Sequence, residues 1–161
     1  KGYLLFKAGY NCSELGLSEL AIKYYMEYLI IHPNNSAASL NLGLEYDNIK
    51  DLENAISVLQ LSVENGNAHP ATKIYLGKLM IRNGDSIKSV EDMIQNGIDN
   101  LIKLEGLTIF HYHWIIVGYR LIGNKKEANY WILMRDEMNE NQKISYNNDE
   151  LLKHEIEEVE L

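Results

Sequence analysis

Small residues recur along this chain at one fixed interval. Two sets of three keep a spacing of 34 residues: Gly9, Gly43 and Gly77, and Ala21, Ala55 and Ser89. Gly16 and Gly84 share a third register, with Lys50 midway between them. Self-similarity at a period of 20–50 residues is the sequence signature of stacked structural repeats. Two packed helices approach each other closely only where their side chains are small. The period therefore predicts an all-α chain built from helical hairpins.

The residues around these positions resemble the tetratricopeptide repeat. The second copy, Leu42-Gly43-Leu44-Glu45-Tyr46 followed by Ala55, carries most of that signature. The first copy is similar, with Ala8-Gly9, Gly16, Ala21, Tyr25 and Pro33. The third has Leu76-Gly77, Gly84 and Ser89, where Ser replaces the usual Ala. The stretch 64–68 also resembles the junctions of Sel1-like repeats. The resemblance covers about residues 2–141 and implies a right-handed superhelical α-solenoid of about four helix-turn-helix repeats with a C-terminal capping helix.

A fourth, looser copy contains Tyr119, Gly123 and Ala128. It is out of phase, because a step of 34 from Gly84 would place its turn residue at position 118 rather than 123. About five residues are therefore inserted, and Leu104–Thr108 is the predicted site of the insertion.

Apolar periodicity and helix-breaking residues predict four helix pairs. Pro33 and Asn65-Gly66 end the first and second pairs. Ser18 is a candidate N-cap. The predicted helices are Gly2–Glu14, Ser18–Ile31, Ser36–Asn48, Asp51–Glu64, Pro70–Arg82, Ser86–Ile102, Thr108–Leu121 and Lys125–Glu140.

The last residues differ from the rest in charge. The formal net charge is −8, and residues 136–161 hold 9 acids and 2 bases. We predict a repeat array at 1–141 and an acidic linker with a capping helix at 142–161. Asn148 or Asp149 would cap that helix. Its apolar stripe would be Leu151, Leu152, Ile156 and Val159. An acidic docking arm is the alternative.

Several function classes are disfavoured. The repeat body has no cluster of Lys and Arg for nucleic acid, and no apolar run is long enough to span a bilayer. A single cysteine, Cys12, excludes an internal disulfide and favours a cytoplasmic protein with Cys12 in the core. His111 and His113 would point to different sides of a helix, which disfavours a metal site. No catalytic or cofactor-binding motif occurs. We therefore expect no enzyme activity, no cofactor and no metal.

The resemblance places a peptide-binding groove on the inward face of the first helix of each pair. For any one of these residues, burial between the hairpins is an equal alternative. Carried onto this sequence, the groove positions of the first three repeats are Tyr3, Phe6, Tyr10, Leu40, Asn41, Leu44, Asn48, Ile74, Tyr75, Lys78 and Arg82. The fourth repeat would add His113, Trp114, Val117 and Arg120.

The predicted function is a scaffold or adaptor that binds an extended or helical segment of another protein. The carboxylate clamp for acidic chaperone tails is disfavoured, because Phe6 and Tyr10 stand where it needs Lys and Asn. One alternative is a chaperone of a bacterial secreted translocator protein. Another is the interaction arm of a larger enzyme or transcription regulator, since the sequence begins at Lys1 without Met. A homodimer also stays open.

Overall fold

The computed structural model describes residues 2–66 and 68–142, with side chains up to residue 138. These ranges hold helices and no strand. Consecutive helices pack as antiparallel hairpins, and each hairpin packs on the next. The fold is an α-solenoid, as predicted. Its helices are α1 (Gly2–Glu14), α2 (Ser18–Ile31), α3 (Ser36–Asn48), α4 (Leu52–Glu64), α5 (Pro70–Arg82), α6 (Ile87–Ile102), α7 (Ile109–Leu121) and α8 (Lys125–Gln142).

The repeating glycines lie where the two helices of a hairpin touch. A Cβ atom built on Gly43 would lie 2.6 Å from Leu59 Cδ2 on α4. One built on Gly77 would lie 2.5 Å from Ile94 Cγ1 on α6. Both distances are shorter than carbon atoms tolerate, so any larger side chain would push the helices apart. The positions of Gly9, Gly43 and Gly77 are therefore the points where the two helices of each hairpin touch.

The third register marks the turn inside each hairpin. Gly16, Lys50, Gly84 and Gly123 have φ angles of +69°, +64°, +106° and +76°. This left-handed backbone suits glycine, and a side chain there is strained. Lys50 adopts it nonetheless, so the turn geometry is kept where the glycine is missing.

The third hairpin departs from the strict period, and this corrects the role predicted for Ser89. Helix α4 begins two residues after Lys50, whereas α6 begins three residues after Gly84. The extra residue moves Val90 into the buried place that Ala55 holds in the second hairpin. Ser89 is exposed, and its hydroxyl donates a hydrogen bond of 2.6 Å to the Ser86 carbonyl.

The insertion before the fourth hairpin is spread over three places. The predicted site, Leu104–Thr108, was mostly wrong. Helix α6 has 16 residues and α4 has 13, so three extra residues are helical. One more lies in the turn before α6, and one lengthens the loop 103–108 that follows it.

Side-chain caps fix the start of several helices but not of α2. Asn35 Oδ1 accepts from the Ala38 amide at 2.9 Å, and Asp51 Oδ1 accepts from the Asn54 amide at 3.2 Å. The N-cap of α2 is Leu17, which supplies no side-chain bond. The prediction of Ser18 as an N-cap was therefore wrong, because Ser18 already lies inside the helix.

Burial is heaviest at α5 and α7. Each of these helices has eight buried residues, whereas α1 buries only Gly9. A large cluster joins α3 to α8, and a smaller one joins the first hairpin to α3. Cys12 is half-buried and packs against the smaller cluster, as predicted.

No helix in the described ranges has the length and apolar character needed to cross a membrane.

The capping helix predicted for the C-terminal segment 142–161 lies outside the described residues, which end at Gln142. The same holds for its predicted apolar stripe of Leu151, Leu152, Ile156 and Val159.

Candidate binding wall

The first helices of the hairpins form a continuous surface, which we call the inner wall. Helix α1 packs against α3, and α5 packs against α7. Side-chain hydrogen bonds join α3 to α5. Every groove position predicted from the sequence lies on these four helices, but not all of these side chains reach the surface.

A carboxylate on α3 ties that helix to α1, its neighbour in the inner wall. Ser13 Oγ donates a hydrogen bond to Glu45 Oε1. Asn48 Nδ2 donates to Glu45 Oε2 at 3.4 Å. Glu45 is only 2% exposed, and a buried carboxylate needs such donors because it has lost its water. The contact therefore fixes α3 against α1.

A second carboxylate, Asp47, ties α3 to α5. The Tyr75 hydroxyl donates to Asp47 Oδ2 at 2.8 Å. Arg82 Nη1 donates to Asp47 Oδ1 at 2.8 Å and to Oδ2 at 3.0 Å. The positive charge of Arg82 is therefore compensated within the protein. Asp47 and Arg82 are 35 residues apart in sequence, close to one repeat, and opposite charges at that spacing are the signal that could have identified the pair.

A buried tyrosine holds the polar side chain of Asn41. Asn41 Nδ2 donates to the Tyr25 hydroxyl at 3.2 Å. Burial is the main cause that raises the pKa of Tyr25 to about 12. The phenol therefore stays protonated at neutral pH and fixes Asn41 without adding charge to the wall.

The α1 end of the inner wall is aromatic and exposed. Phe6 packs edge-on against Tyr25 and Tyr28, with ring centroids 5.8 and 5.3 Å apart. Phe6 thus belongs mostly to the packing below the surface. Tyr3 and Tyr10 are 73% and 50% exposed. These two rings are available on the surface of the wall.

The α5 and α7 end is filled by its own side chains. Tyr75 and Trp114 pack edge-on with centroids 5.3 Å apart. Seven of the predicted groove residues are buried, and Arg120 is half-buried. The seven are Leu40, Ile74, Tyr75, Lys78, His113, Trp114 and Val117.

The inner wall therefore divides into two halves. The open half, running from α1 across α3 to the end of α5, keeps every exposed or half-buried member of the predicted set except Arg120, and it also includes buried Leu40. The exposed and half-buried ones are Tyr3, Phe6, Tyr10, Asn41, Leu44, Asn48 and Arg82. The closed half, on the rest of α5 and on α7, is buried apart from half-buried Arg120, so the open half is the part that a ligand can contact.

Two histidines stack where α5 and α7 begin, and sequence reasoning missed the pair. The rings of His69 and His111 are nearly parallel, with centroids 5.8 Å apart. His69 Nδ1 accepts from the Ala71 amide at 3.2 Å, and His111 Nδ1 accepts from the Thr108 amide at 3.0 Å. Burial lowers the pKa of both, and the charge of His111 lowers that of His69 further. Each Nδ1 atom therefore accepts a backbone amide at the start of its helix.

The arrangement offers little to a metal ion. Both Nδ1 atoms of the stacked pair are occupied by backbone amides, as described above. His113, which the sequence places near His111, is buried beside Trp114 instead. Within the described ranges, no group of three or more His, Cys, Asp or Glu side chains could hold a metal.

Comparison with known proteins agrees with this architecture. Residues 36–65, which contain the second hairpin, match the tetratricopeptide repeat family model. No curated protein sequence matches the chain.

Solved structures of MamA share the fold. A crystal structure of MamA is 20% identical with a TM-score of 0.58, covering 89% of this chain and 81% of that one. MamA 41-end from Desulfovibrio magneticus RS-1 is 20% identical with a TM-score of 0.56, covering 89% and 78%. A third structure, of MamA protein, is 19% identical with a TM-score of 0.53, covering 89% and 96%. At this identity the likeness shows the fold alone.

Proposed function

We propose that this chain, a tetratricopeptide-type solenoid whose second hairpin matches the repeat family model, is a protein–protein interaction module. The partner segment, extended or helical, would lie along the open half of the inner wall. The observation that carries the proposal is the exposure of Tyr3 and Tyr10 on a wall whose other parts are tied down or buried.

The two tyrosines are placed as anchor points. They are seven residues apart on α1, which is about two helical turns or roughly 10 Å along one face. Tyrosine is enriched among the residues that dominate binding energy, because it offers a large rigid surface with a polar tip. Half-buried Leu44 continues the apolar surface onto α3. Such a surface suits apolar or aromatic side chains of a partner.

The charges of the wall point to the same kind of partner. Arg82 is paired with Asp47, and Glu45 is buried and hydrogen-bonded. Recognition of a strongly acidic segment would require breaking the first pair. Asn41 and Asn48 each use one amide hydrogen within the protein. An asparagine has a second amide hydrogen and a carbonyl oxygen that suit a peptide backbone.

A displayed library of random peptides, selected on the immobilised full chain, tests the proposal. We expect the enriched peptides to share apolar or aromatic positions. Tyr10→Ala should weaken their binding roughly 30-fold, the loss expected for an interface hot spot of about 2 kcal/mol. Tyr3→Ala should act in the same direction.

Tyr130→Ala is the matched control, because Tyr130 is equally exposed but lies on α8, away from the inner wall. Its binding should equal that of the wild type. Circular dichroism checks that each variant remains helical. Failure to enrich any peptide, or equal binding by the Tyr10 and Tyr130 variants, would overturn the proposal.

A further inference from the structure

The stacked histidines join two adjacent hairpins. His69 directly precedes α5 in the third hairpin, and His111 lies in the first turn of α7 in the fourth. Phe110 packs against both rings, with its centroid 5.9 Å from that of His69 and 5.8 Å from that of His111. We call these three residues the histidine junction. It is the contact between the starts of α5 and α7.

The histidine junction continues into the closed half of the inner wall. Phe110 packs edge-on against Trp114, with centroids 6.4 Å apart. Trp114 in turn covers Tyr75 of α5. Ring contacts therefore run without a break from His69 to Tyr75. If the starts of α5 and α7 separate, the packing that covers this part of the closed half is lost.

The hydrogen bonds of both histidines require an unprotonated ring nitrogen. A protonated imidazole carries hydrogen on both nitrogens and accepts no hydrogen bond. Protonation therefore removes the acceptors of the Ala71 and Thr108 amides. It also places two positive charges on rings 5.8 Å apart, at helix N-termini that disfavour positive charge. All three effects oppose the packing of α7 on α5.

No described neighbour compensates for these charges. His111 is the only described charged group that shifts the pKa of His69, and burial alone lowers that of His111. Lys73, one turn after His69, donates to Asn96 on α6. The charged side chains at the adjoining ends of the packed elements shift neither pKa. They are Glu64 of α4, Asp99 of α6, Lys103 and Glu105 of the loop before α7, and Arg135, Asp136 and Glu137 of α8.

We propose that the histidine junction is a pH-sensitive switch: protonation of His69 and His111 separates the starts of α5 and α7 and exposes Tyr75 and Trp114. In the closed arrangement, the pKa of each histidine lies below its ordinary value of 6.5. The junction is therefore closed above pH 6.5 and opens as the pH falls through the folded values. This inference concerns the closed half of the wall and does not depend on peptide binding at the open half.

The fluorescence of Trp114 tests the switch. The sequence contains two tryptophans, so Trp131→Phe leaves Trp114 as the single reporter. Trp114 is only 4% exposed. Its quenching by acrylamide should increase about twofold or more as the pH falls from 8 to 5, while circular dichroism stays helical. Unchanged quenching, or a loss of helix in step with the quenching, would overturn the proposal.

Two substitutions separate the histidine junction from other titrating groups. His69→Asn and His111→Gln, added together to Trp131→Phe, keep side-chain acceptors at both helix starts without a titrating ring. This variant should lose the pH response. His32→Gln, at an exposed histidine of the first hairpin, should keep it. A response that persists without His69 and His111 would belong to another group, such as His113 beside Trp114, and would contradict the switch.

Hydrogen exchange of the wild type at the two pH values needs no variant. After correction for intrinsic exchange rates, protection at the lower pH should fall in α7, whereas α3 and α4 should keep theirs. Protection that is lost equally in all of these helices, or is unchanged in α7, would rule out a local opening at this junction.

Discussion

The first and third hairpins share one register and differ sharply in burial. Helix α5 buries Thr72, Leu76 and Leu79 along the stripe that faces the preceding hairpin. The corresponding stripe on α1 begins at Leu4, which is exposed. Position within a repeat therefore does not set burial alone; the presence of a neighbouring hairpin matters as well. Within the described ranges, the third hairpin packs on a hairpin at each side, whereas the first packs on one.

The comparison separates stability from recognition. In a repeat array, stability is close to a sum of terms within hairpins and between adjacent hairpins. The third hairpin contributes two stacking contacts and the first contributes one. Exposed apolar groups gather on the first hairpin, where they are available for contacts with other molecules. The two regions should respond differently to the same kind of substitution.

The largest expected difference is between truncations in the two regions. Leu79→Ala removes a fully buried side chain from α5 and should cost about 2–5 kcal/mol. Ile30→Ala, at an exposed residue of α2, should change the free energy of unfolding by about 0.5 kcal/mol or less. Urea unfolding measures both. Similar losses in the two variants would contradict the comparison.

Substitutions that fill the helix contacts should also destabilise the third hairpin more than the first. The difference in the free energy of unfolding should be smaller than for the truncations. Gly77→Ala places a Cβ 2.5 Å from Ile94, which is fully buried between α5 and its neighbours. We expect a loss of about 1–3 kcal/mol. Gly9→Ala meets the Tyr25 ring at 2.9 Å. Helix α1 can move outward, so the loss there should be smaller.

Thermal unfolding of the two glycine variants gives the measurement. A double variant, Gly77→Ala with Ile94→Val, is the control for the cause. It should lose less stability than the sum of the two single changes, because the smaller side chain makes room for the methyl group. Simple additivity would show that the clash is not responsible.

Substitutions in the turns should change the free energy of unfolding still less, and one of them should stabilise the protein. Lys50→Gly relieves a side chain held at φ +64° and should raise the free energy of unfolding by about 0.5–1 kcal/mol. Gly84→Lys, at φ +106° in the third hairpin, should lower it by at least that amount. Opposite signs in urea unfolding would confirm that this register serves the turn.

The smallest effect concerns pH and the stacked histidines of the third and fourth hairpins. The folded-state pKa values of His69 and His111 lie below the ordinary value of 6.5. Their contribution to stability is therefore fully present above pH 6.5 and is lost as the pH falls through the folded values. His69→Asn keeps a capping group that does not titrate, so the variant should lose less stability on acidification. An equal loss would contradict a role for His69.

Much of the fold was predictable because it depends on local signals. The period fixed the hairpins, and Pro33 and Gly66 bounded two of them. Ser89 could not be placed from the period, because the turn before α6 has one additional residue. That residue shifts the helical positions by one, so that Val90 rather than Ser89 is buried. The closed half of the inner wall was equally hidden, because Tyr75 is covered by Trp114, a contact that forms only in the folded solenoid. At the open half, with Tyr3 and Tyr10, the groove remains a prediction.

The hydrogen bonds of Asp47 with Tyr75 and Arg82 have a mechanical consequence. They tie α3 to α5 on the inner side through a tyrosine and an arginine at once. A superhelix changes curvature by small rotations between adjacent hairpins. Two side-chain contacts between α3 and α5 should make the junction of the second and third hairpins stiffer. Under the proposed function, we expect a partner that requires a wider array to open it at a different joint, with the spacing between α3 and α5 changing least.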